Sequence, residues 1–299
     1  MSTDTGAPAV TVIGLGPMGR AMAGAYLDKG YAVTLWNRSA AKADELVTRG
    51  ATLAASVGEA LAAGGPVVLS LTDYDAMYAI LEPAAASLPG RVIVNLTSDT
   101  PERARAAADW FAGHGARHLT GGVNTPPSGI GTPEVFTFYS GPRDLFEELA
   151  PMLEVLTGTD YRGADPGLAA LYYQIGMDLF WTTMLSWVHA LAIAEANGIS
   201  AAEFLPYASQ STGGMSRFFE FYSPRIDAGE FPGDVDRLAM GVASVEHVLH
   251  TTRAAGVDTA LPEAVLELFR RGAEAGHADN SFTSLFAVMR GAGRLPEAA

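Results

Sequence analysis

Short apolar runs alternate with helix-like segments along the first 165 residues of the chain, and the alternation stops at Asp165-Pro166. The runs are rich in Val, Leu and Ile and lie at 9–16, 31–37, 66–72, 91–98 and 135–141. Continuous apolar runs are typical of parallel strands that are covered on both faces. Because strands separated by helices build the doubly wound fold, we predict a Rossmann domain over residues 1–165.

The rest of the chain has helical periodicity and no strand signal. We predict a long apolar helix over 166–197, ended by Asn197-Gly198, and an all-helical domain over 198–299. The fold class is thus α/β, with an N-terminal Rossmann doubly wound parallel sheet, a long inter-domain helix and a C-terminal all-helical domain. Polar residues such as Asp178 interrupt the long helix, so we expect a buried helix of a soluble protein and no membrane span. Its apolar surface predicts packing against a second subunit, hence a homodimer.

Composition excludes several classes of function. The 299 residues carry a formal net charge of −14, which argues against a nucleic-acid partner and against a polybasic membrane contact. The chain has no Cys, so disulfides, thiolate nucleophiles and Cys-based metal sites are ruled out. His247 and His250 lie three residues apart on one predicted helix without a third ligand, since Glu246 points to a different side, and we expect a solvated helix face and no metal there. The polar start of the chain lacks an apolar signal core, so we expect a cytoplasmic protein.

A glycine-rich turn follows the first predicted strand. The pattern GxGxxG is formed by Gly14, Leu15, Gly16, Pro17, Met18 and Gly19. Between a strand and a helix, this pattern is typical of a dinucleotide site. Gly14 permits the tight turn, Gly16 lets the backbone approach a pyrophosphate, and Gly19 lets the helix pack close to the strand. The helix N-terminus then faces the phosphates.

The tip of the second predicted strand indicates which dinucleotide binds. NAD-binding domains normally carry an Asp or Glu here, whereas this chain has Asn37-Arg38-Ser39. Arg38 offers a planar fork of donors that suits a phosphate, and Asn37, Ser39 and Lys42 can add donors. We therefore predict NADPH, with its 2′-phosphate beside Arg38. The alternative is an arginine that lies on the adenine face of NAD.

The ends of the later strands are expected to line the nicotinamide half of the site, because the carboxyl ends of parallel strands face the ligand crevice. The residues predicted there are Leu71, Thr72, Asn95 and Thr97. Ser98, Val123 and Asn124 also lie near strand ends, and we predict that they contact the substrate.

Lysine is scarce in this sequence, with Lys29 and Lys42 alone, both in the first half of the Rossmann unit. The layout resembles the β-hydroxyacid dehydrogenase superfamily, whose members carry an essential Lys near the start of the inter-domain helix. No lysine of this chain can take that role. The carbonyl or β-hydroxyacid reductase that the superfamily implies therefore remains only as an alternative, together with a catalytically silent NADPH-binding module.

A more specific resemblance is to the imine reductases. Its motifs are GLGPMG at 14–19 followed by LWNRS and Lys42, the run 163–169 followed by Leu171-Tyr172-Tyr173, GGVNTPPSGIG at 121–131 and GHADNSF at 276–282. In that family the superfamily's Lys position holds another residue, usually Asp or Tyr. Here the position falls on Tyr173, and the resemblance covers essentially the whole chain.

The resemblance implies NADPH-dependent reduction of imines or iminium ions to amines, with small cyclic imines such as 2-methyl-1-pyrroline as substrates. It implies that Tyr173 donates a proton or anchors the iminium, and family members with Tyr here tend toward the S product. A phenol stays protonated at neutral pH and can donate. Unlike an ammonium, a phenol does not repel a cationic iminium.

An apolar wall is predicted around Tyr173. It consists of Met177, Phe180 and Trp181 on the long helix and of Phe218 and Met240 in the helical domain. The first three share a helical face with Tyr173, although core packing is an alternative explanation for such a stripe. The last two are assigned by the resemblance, which implies that this region of a partner subunit closes the pocket and that the active site lies between subunits.

Overall fold

The computed structural model describes residues 7–291. The chain divides between Leu179 and Phe180 into two compact units, so the division lies inside the long helix. The first unit holds a mixed α/β sheet structure, and helices make up the second. The domain limits drawn from the sequence, after residues 165 and 197, stay predictions.

The first unit contains one eight-stranded sheet. The strands are β1 (Ala9–Ile13), β2 (Ala32–Trp36), β3 (Thr52–Leu53), β4 (Val67–Leu69), β5 (Val92–Asn95), β6 (Arg117–Val123), β7 (Thr132–Ser140) and β8 (Thr157–Gly163). Their order is β3-β2-β1-β4-β5-β6-β7-β8, which begins with the doubly wound order. The predicted Rossmann sheet is therefore confirmed.

One pair of strands corrects the expectation of a wholly parallel sheet. Strands β6 and β7 are antiparallel, while β7 and β8 are parallel again. The connection 124–131 between β6 and β7 is shorter than the dozen or so residues that a parallel crossover requires. The chain therefore turns back after β6, and β7 adds to the edge of the sheet as a strand that runs opposite to β6.

Six helices of the first unit cover the two faces of the sheet. They are α1 (Pro17–Asp28), α2 (Asp44–Thr48), α3 (Val57–Ala62), α4 (Tyr74–Leu81), α5 (Pro101–Gly113) and α6 (Arg143–Leu153), with short 3₁₀ turns at Ala40–Ala43, Glu82–Ser87 and Pro127–Gly129. One core cluster contains residues of α1, α2 and α6, and a second contains residues of α3, α4 and α5. The sheet is thus buried between two helical layers, which is why its central strands are continuously apolar.

Capping residues explain where two of these helices begin. Thr100 accepts a hydrogen bond from the Arg103 backbone N–H, as its place before Pro101 predicts. Asp73 caps α4 in the same way and accepts from the Ala76 N–H at 2.8 Å. Each cap satisfies one of the backbone donors that a helix N-terminus leaves free.

The second half of the chain is helical, as predicted. Its helices are α7 (Gly167–Ala196), α8 (Ala201–Gly213), α9 (Met215–Asp227), α10 (Leu238–Ala254), α11 (Ala260–Gly272) and α12 (Leu285–Met289), with a π turn at Ala273–His277 and a 3₁₀ turn at Phe282–Ser284. Gly198 has φ +77°, which ends α7 where the sequence indicated. Helix α11 ends at Gly272, and Gly276 adopts φ +92° inside the π turn that follows.

The long helix α7 is not buried within this chain, contrary to the expectation of a buried helix. Ile175, Trp181 and Leu185 are each more than half exposed. Apolar residues lie on several sides of α7, so no single packed stripe can cover them all. No helix within residues 7–291 combines the length and the apolar character that a membrane span requires.

An aspartate organises one corner of the second unit. Asp236 accepts hydrogen bonds from the Ser281 hydroxyl at 3.0 Å, from the Phe282 N–H at 2.8 Å and from the Tyr222 hydroxyl. The donors come from α9 and from the segment before α12. The GHADNSF segment singled out in the sequence is therefore held in place through a carboxylate that lies about forty residues earlier in the chain.

Candidate cofactor and active site

The three glycines of the turn between β1 and α1 have different surroundings. Gly14 has φ +99°, and a side-chain Cβ at this position would lie 2.2 Å from the Ser70 carbonyl oxygen. A Cβ at Gly19 would lie 1.9 Å from the Gly14 carbonyl oxygen, so α1 packs directly on the turn. At Gly16 a Cβ would meet no atom within 4 Å. The turn therefore needs glycine for its shape at two positions and leaves an open face at the third.

Asn37 connects this turn to the tip of β2. Its side-chain oxygen accepts from the Leu15 N–H, and its side-chain nitrogen donates to the Ser39 carbonyl, both at 2.9 Å. Arg38 and Lys42 are exposed beside it. The salt bridges found across residues 7–291 involve neither of these two cations. Two cations that lack a carboxylate partner are suited to hold a phosphate.

One cleft of about 420 Å³ brings most of the predicted cofactor residues together. Its predicted lining residues are Gly14, Leu15, Gly16, Pro17, Met18, Asn37, Arg38, Ser39, Lys42, Leu71 and Thr72. The N-terminus of α1 and the two unpaired cations thus share one concave surface, which fits a dinucleotide that carries an additional phosphate.

Helix α4 contributes a wall of this cleft that the apolar runs did not indicate. Ala76, Ala79 and Ile80 line the cleft from α4, together with Trp36 and Ser70 at the ends of their strands. The local signal for α4 was present in the sequence, since Asp73 is a favourable N-cap followed by an acid in the first turn.

Three of the predicted cofactor residues, Gly19, Asn95 and Thr97, are buried and do not line the cleft. The Thr97 hydroxyl accepts from the Leu71 N–H at 3.1 Å, and the Asn95 side-chain oxygen accepts from the Thr97 N–H at 3.1 Å. The Asn95 amide nitrogen lies 3.2 Å from the Met77 sulfur. These side chains hold the end of β4 against the end of β5, and so they shape the cleft edge from behind.

Tyr173 lies at the carboxyl end of the neighbouring strands. A Cβ at Gly122 of β6 would lie 2.8 Å from the Tyr173 Cβ, so α7 packs on the bare backbone of this glycine. Thr120 pairs with Asn95, which places Gly122 just beyond the end of β5. The Gln174 side chain donates to the Asp99 carbonyl at 3.1 Å in the loop that follows β5. The second turn of α7 is thereby placed beside the strand ends.

The other predicted substrate residues of the first unit lie along this same edge. Ser98 is exposed in the loop after β5, and its hydroxyl is 3.4 Å from the Gln174 amide nitrogen. Val123 and Asn124 are half-buried at the end of β6. Met177 follows Tyr173 by one helical turn and is also half-buried. A reacting group beside Tyr173 would therefore meet both polar and apolar side chains.

The predicted substrate residues of the second unit are large, apolar and exposed. They are Phe180, Trp181, Phe218 and Met240. The rings of Phe180 and Trp181 pack edge to face with centroids 5.1 Å apart. Their convergence on the same pocket as Tyr173 stays a prediction.

Charged groups meet at the start of α7. Arg105 of α5 donates from Nε and Nη2 to the two carboxylate oxygens of Asp165, at 2.9 and 2.8 Å. The Gly167 N–H donates to the same carboxylate at 2.9 Å. The Arg105 guanidinium, and after it the Gly167 N–H, holds the pKa of Asp165 below its usual value, since both favour the ionised form.

Family models match almost the full length of the chain. Residues 9–163 match the NAD binding domain of 6-phosphogluconate dehydrogenase. Residues 165–291 match the C-terminal domain of proteins that are similar to NADPH-dependent reductive aminases. The two matches meet immediately before α7.

Individual relatives agree with these matches. An NADPH-dependent reductive aminase from Aspergillus oryzae is 30% identical over 94% of this chain and 97% of its own length. The solved structure of an imine reductase from Bacillus cereus is 63% identical, with a TM-score of 0.86 over 95% of this chain and 99% of that one. A Streptomyces aurantiacus imine reductase is 60% identical, with a TM-score of 0.91 over 94% of this chain and 99% of that one.

Proposed function

Since the chain belongs to the family of imine reductases and NADPH-dependent reductive aminases, we propose that it reduces the C=N bond of small cyclic imines with NADPH. The observation that carries this proposal is the environment of Tyr173. This phenol lies on the second turn of α7, against Gly122 at the strand ends, while both lysines of the chain belong to the segment before residue 43. A cationic substrate at this edge would meet a hydroxyl and no lysine ammonium.

The residues of the cleft support NADPH as the cofactor. When it is bound, NADPH supplies the hydride for the reduction. The open face of Gly16 leaves room for a pyrophosphate at the N-terminus of α1, where free backbone N–H groups favour negative charge. Arg38 and Lys42 would hold the 2′-phosphate. The Asn37 side chain is hydrogen-bonded to the Leu15 N–H in the glycine turn and to the Ser39 carbonyl at the tip of β2. It would therefore keep the pyrophosphate position and the 2′-phosphate position at a constant separation.

Tyr173 is proposed to act on the nitrogen of the substrate. Its phenol can transfer a proton to the imine nitrogen, which leaves a phenolate that takes up a proton from water before the next turnover, or it can donate a hydrogen bond that orients an iminium. Met177, Val123 and the side chains around them would hold the apolar part of a cyclic imine and exclude water. We propose the S enantiomer as the main product for small cyclic imines.

The activity is tested by incubation of the protein with NADPH and 2-methyl-1-pyrroline, with the absorbance of the reduced cofactor as the measurement. We expect imine-dependent oxidation of NADPH, an amine product by mass spectrometry and an excess of the S enantiomer by chiral chromatography. A parallel reaction with NADP and β-hydroxyacids tests the dehydrogenase alternative. Turnover of hydroxyacids without turnover of any cyclic imine would reject the proposed function.

The role of Tyr173 is tested by Tyr173→Phe, with Tyr172→Phe as the matched control. Tyr172 is the adjacent residue, and its ring packs against Phe138 and under the Arg162 guanidinium. Loss of a positioned proton donor typically lowers the rate by a factor on the order of 10²–10⁴. We expect such a loss for Tyr173→Phe alone. Similar rates for both variants would remove Tyr173 from the mechanism.

We also propose a homodimer in which the active site is completed by the partner subunit. Trp181 and Met240 are each 65% exposed in the single chain, and Ile175 is 61% exposed. Burial of each such side chain in a subunit interface would contribute about 1.5–3 kcal/mol to the free energy of dimer formation. Analytical ultracentrifugation should give twice the mass of the chain. Leu185→Glu on α7 should lower both the mass and the activity, whereas Val47→Glu, an exposed apolar position on α2, should change neither.

A further inference from the structure

The first turn of α7 is held from α5 through an ion pair. Arg105 and Asp165 are joined by two hydrogen bonds, and the Asp165 carboxylate accepts in addition from the Gly167 N–H. A Cβ at Gly167 would lie 2.7 Å from the Arg105 Cζ, so the guanidinium lies directly against the helix start. This bidentate geometry fixes both the distance and the orientation of the two groups.

The same turn is held from the sheet by a buried hydroxyl. Ser140, at the end of β7, is completely buried. Its hydroxyl donates to the Pro166 carbonyl and accepts from the Ala169 N–H, both at 2.9 Å. The bond from Ala169 satisfies one of the backbone donors that every helix leaves free at its N-terminus. Ser140 therefore fixes the first turn of α7 relative to the sheet, both in its position along the helix axis and in its rotation about that axis.

The second turn has two contacts of its own. Gly122 would place a Cβ 2.8 Å from the Tyr173 Cβ and 2.9 Å from the Ala169 carbonyl oxygen, so no space remains between helix and strand. Gln174 donates to the Asp99 carbonyl. Contacts at the first turn determine how the helix is rotated, and the contact at Gly122 determines how closely it approaches the strand ends.

A small rotation of α7 at its first turn produces a larger displacement of the Tyr173 hydroxyl, which lies far from the helix axis. A tyrosine hydroxyl extends on the order of 9 Å from the axis of its helix, so a rotation of about 10° moves it by roughly 1.5 Å. A misplacement of about 1 Å at a reacting centre can lower a rate by about a hundredfold. Contacts that prevent such a rotation are therefore relevant to the rate, even where they lie away from the substrate.

We propose that Arg105 and Ser140 are positioning residues for Tyr173, which act by holding the first turn of α7 at a set rotation against the sheet. The inference rests on the proposed function of Tyr173 at the substrate nitrogen. Neither residue lines the cofactor cleft. Their loss should therefore lower kcat and leave cofactor binding unchanged.

The main test is Arg105→Gln in the full-length protein. The Arg105 side chain is 42% exposed, so the substitution leaves no large cavity. We expect kcat for 2-methyl-1-pyrroline to fall about 10- to 100-fold, while KM for NADPH stays within about twofold. Arg117→Gln is the matched control, because Arg117 is 46% exposed and pairs with Glu148 on α6. We expect wild-type kinetics for this control.

Two further variants disturb the same turn by different means. Gly167→Ala should displace the Arg105 guanidinium by a steric contact, since its Cβ would lie within 2.8 Å of three guanidinium atoms. Ser140→Ala removes the buried hydroxyl and leaves the Ala169 N–H without its partner. Both should lower kcat in the same way as Arg105→Gln. Gly167→Ala should do so with little change in thermal stability, because the atoms that it displaces belong to the flexible end of a partly exposed side chain.

Two readouts separate positioning from a general loss of structure. Hydrogen exchange at the amides of the first turn of α7 should become faster in Arg105→Gln and remain unchanged in Arg117→Gln. Introduction of Arg105→Gln into the Tyr173→Phe protein should have little effect on kcat, because the group that Arg105 positions is already absent. An equal fold-loss in both backgrounds would overturn the proposal, as would unchanged exchange. A wild-type protein without any imine turnover would reject the proposed function, while the exchange data would still decide whether Arg105 holds the helix.

Discussion

A buried histidine in the first unit should make the stability of the protein depend on pH. His118 lies on β6 and is almost completely buried, with its ring stacked on Phe111 at a centroid distance of 4.9 Å. Neither ring nitrogen has a hydrogen-bond partner among residues 7–291. Burial lowers the pKa of His118 from 6.5 to about 3, because the charged form would lose its hydration. The folded protein therefore keeps this imidazole neutral.

The size of this pH effect on the free energy of unfolding follows from proton linkage. Below about pH 6.5 the unfolded chain binds a proton at His118 that the folded chain excludes, so the free energy of unfolding falls as the pH falls. The loss is about 1.4 kcal/mol for each pH unit, or roughly 2 kcal/mol between pH 6.5 and pH 5. The decrease should continue until the pH approaches the folded pKa near 3. The full contribution is present above pH 6.5.

Urea unfolding at pH 5.0, 6.0, 7.0 and 7.5 measures this effect above the range in which most carboxylates titrate. His118→Leu should remove the slope that His118 causes, so the difference between wild type and variant should change by roughly 2 kcal/mol across the range. His114→Leu is the control, because the His114 ring nitrogen is bonded to the Trp110 carbonyl at the end of α5. Parallel pH profiles for wild type and His118→Leu would refute the reasoning.

Three other substitutions test separate parts of the fold and the site. Gly14→Ala should destabilise the first unit and abolish cofactor binding, since φ is +99° at this residue. Gly16→Ala should weaken cofactor binding in a fluorescence titration but change the melting temperature little, because a Cβ there meets no other atom within 4 Å. Equal melting temperatures would contradict this distinction. Arg38→Ala should raise KM for NADPH about 10- to 100-fold and leave KM for NADH nearly unchanged, and equal effects would exclude a contact with the 2′-phosphate. Asp236→Asn should lower the stability of the second unit by about 1–3 kcal/mol in urea, because Asp236 accepts three hydrogen bonds. Asp234→Asn at an exposed ion pair should cost far less, and an equal loss would show that the hydrogen bonds to Asp236 do not matter.

Much of the architecture follows from local patterns. The order of strand, glycine turn and helix near Gly14 predicts the Rossmann unit, and the change of pattern at Asp165-Pro166 predicts the helical half; the structure confirms both. The cap at Thr100 and the end of α7 at Gly198 are also confirmed. Such features depend on the torsional preferences and spacing of residues that are neighbours in the chain, so the sequence alone is enough to indicate them.

Other elements of the sheet could not be recognised in this way. Strand β8 has half-buried residues along most of its length and contains Asp160 and Arg162, so it lacks a continuous apolar run. Strand β6 includes Gly121 and Gly122, which are unfavourable in strands by themselves. These segments are strands because neighbouring strands offer them backbone hydrogen bonds, and this condition depends on the rest of the sheet.

The candidate site also combines features that the local sequence sets with features that only tertiary contacts set. The sequence by itself determined the residue types available for the chemistry: a glycine turn, an arginine at the tip of β2 and a tyrosine on a helix that has no lysine. The tertiary structure decided that Asn95 and Thr97 point into the protein, that Arg105 pairs with an aspartate sixty residues later, and that Tyr173 rests on Gly122. Contacts between residues that are far apart in the chain arise only when helices and strands pack, because side-chain shape and unpaired backbone groups then select their partners.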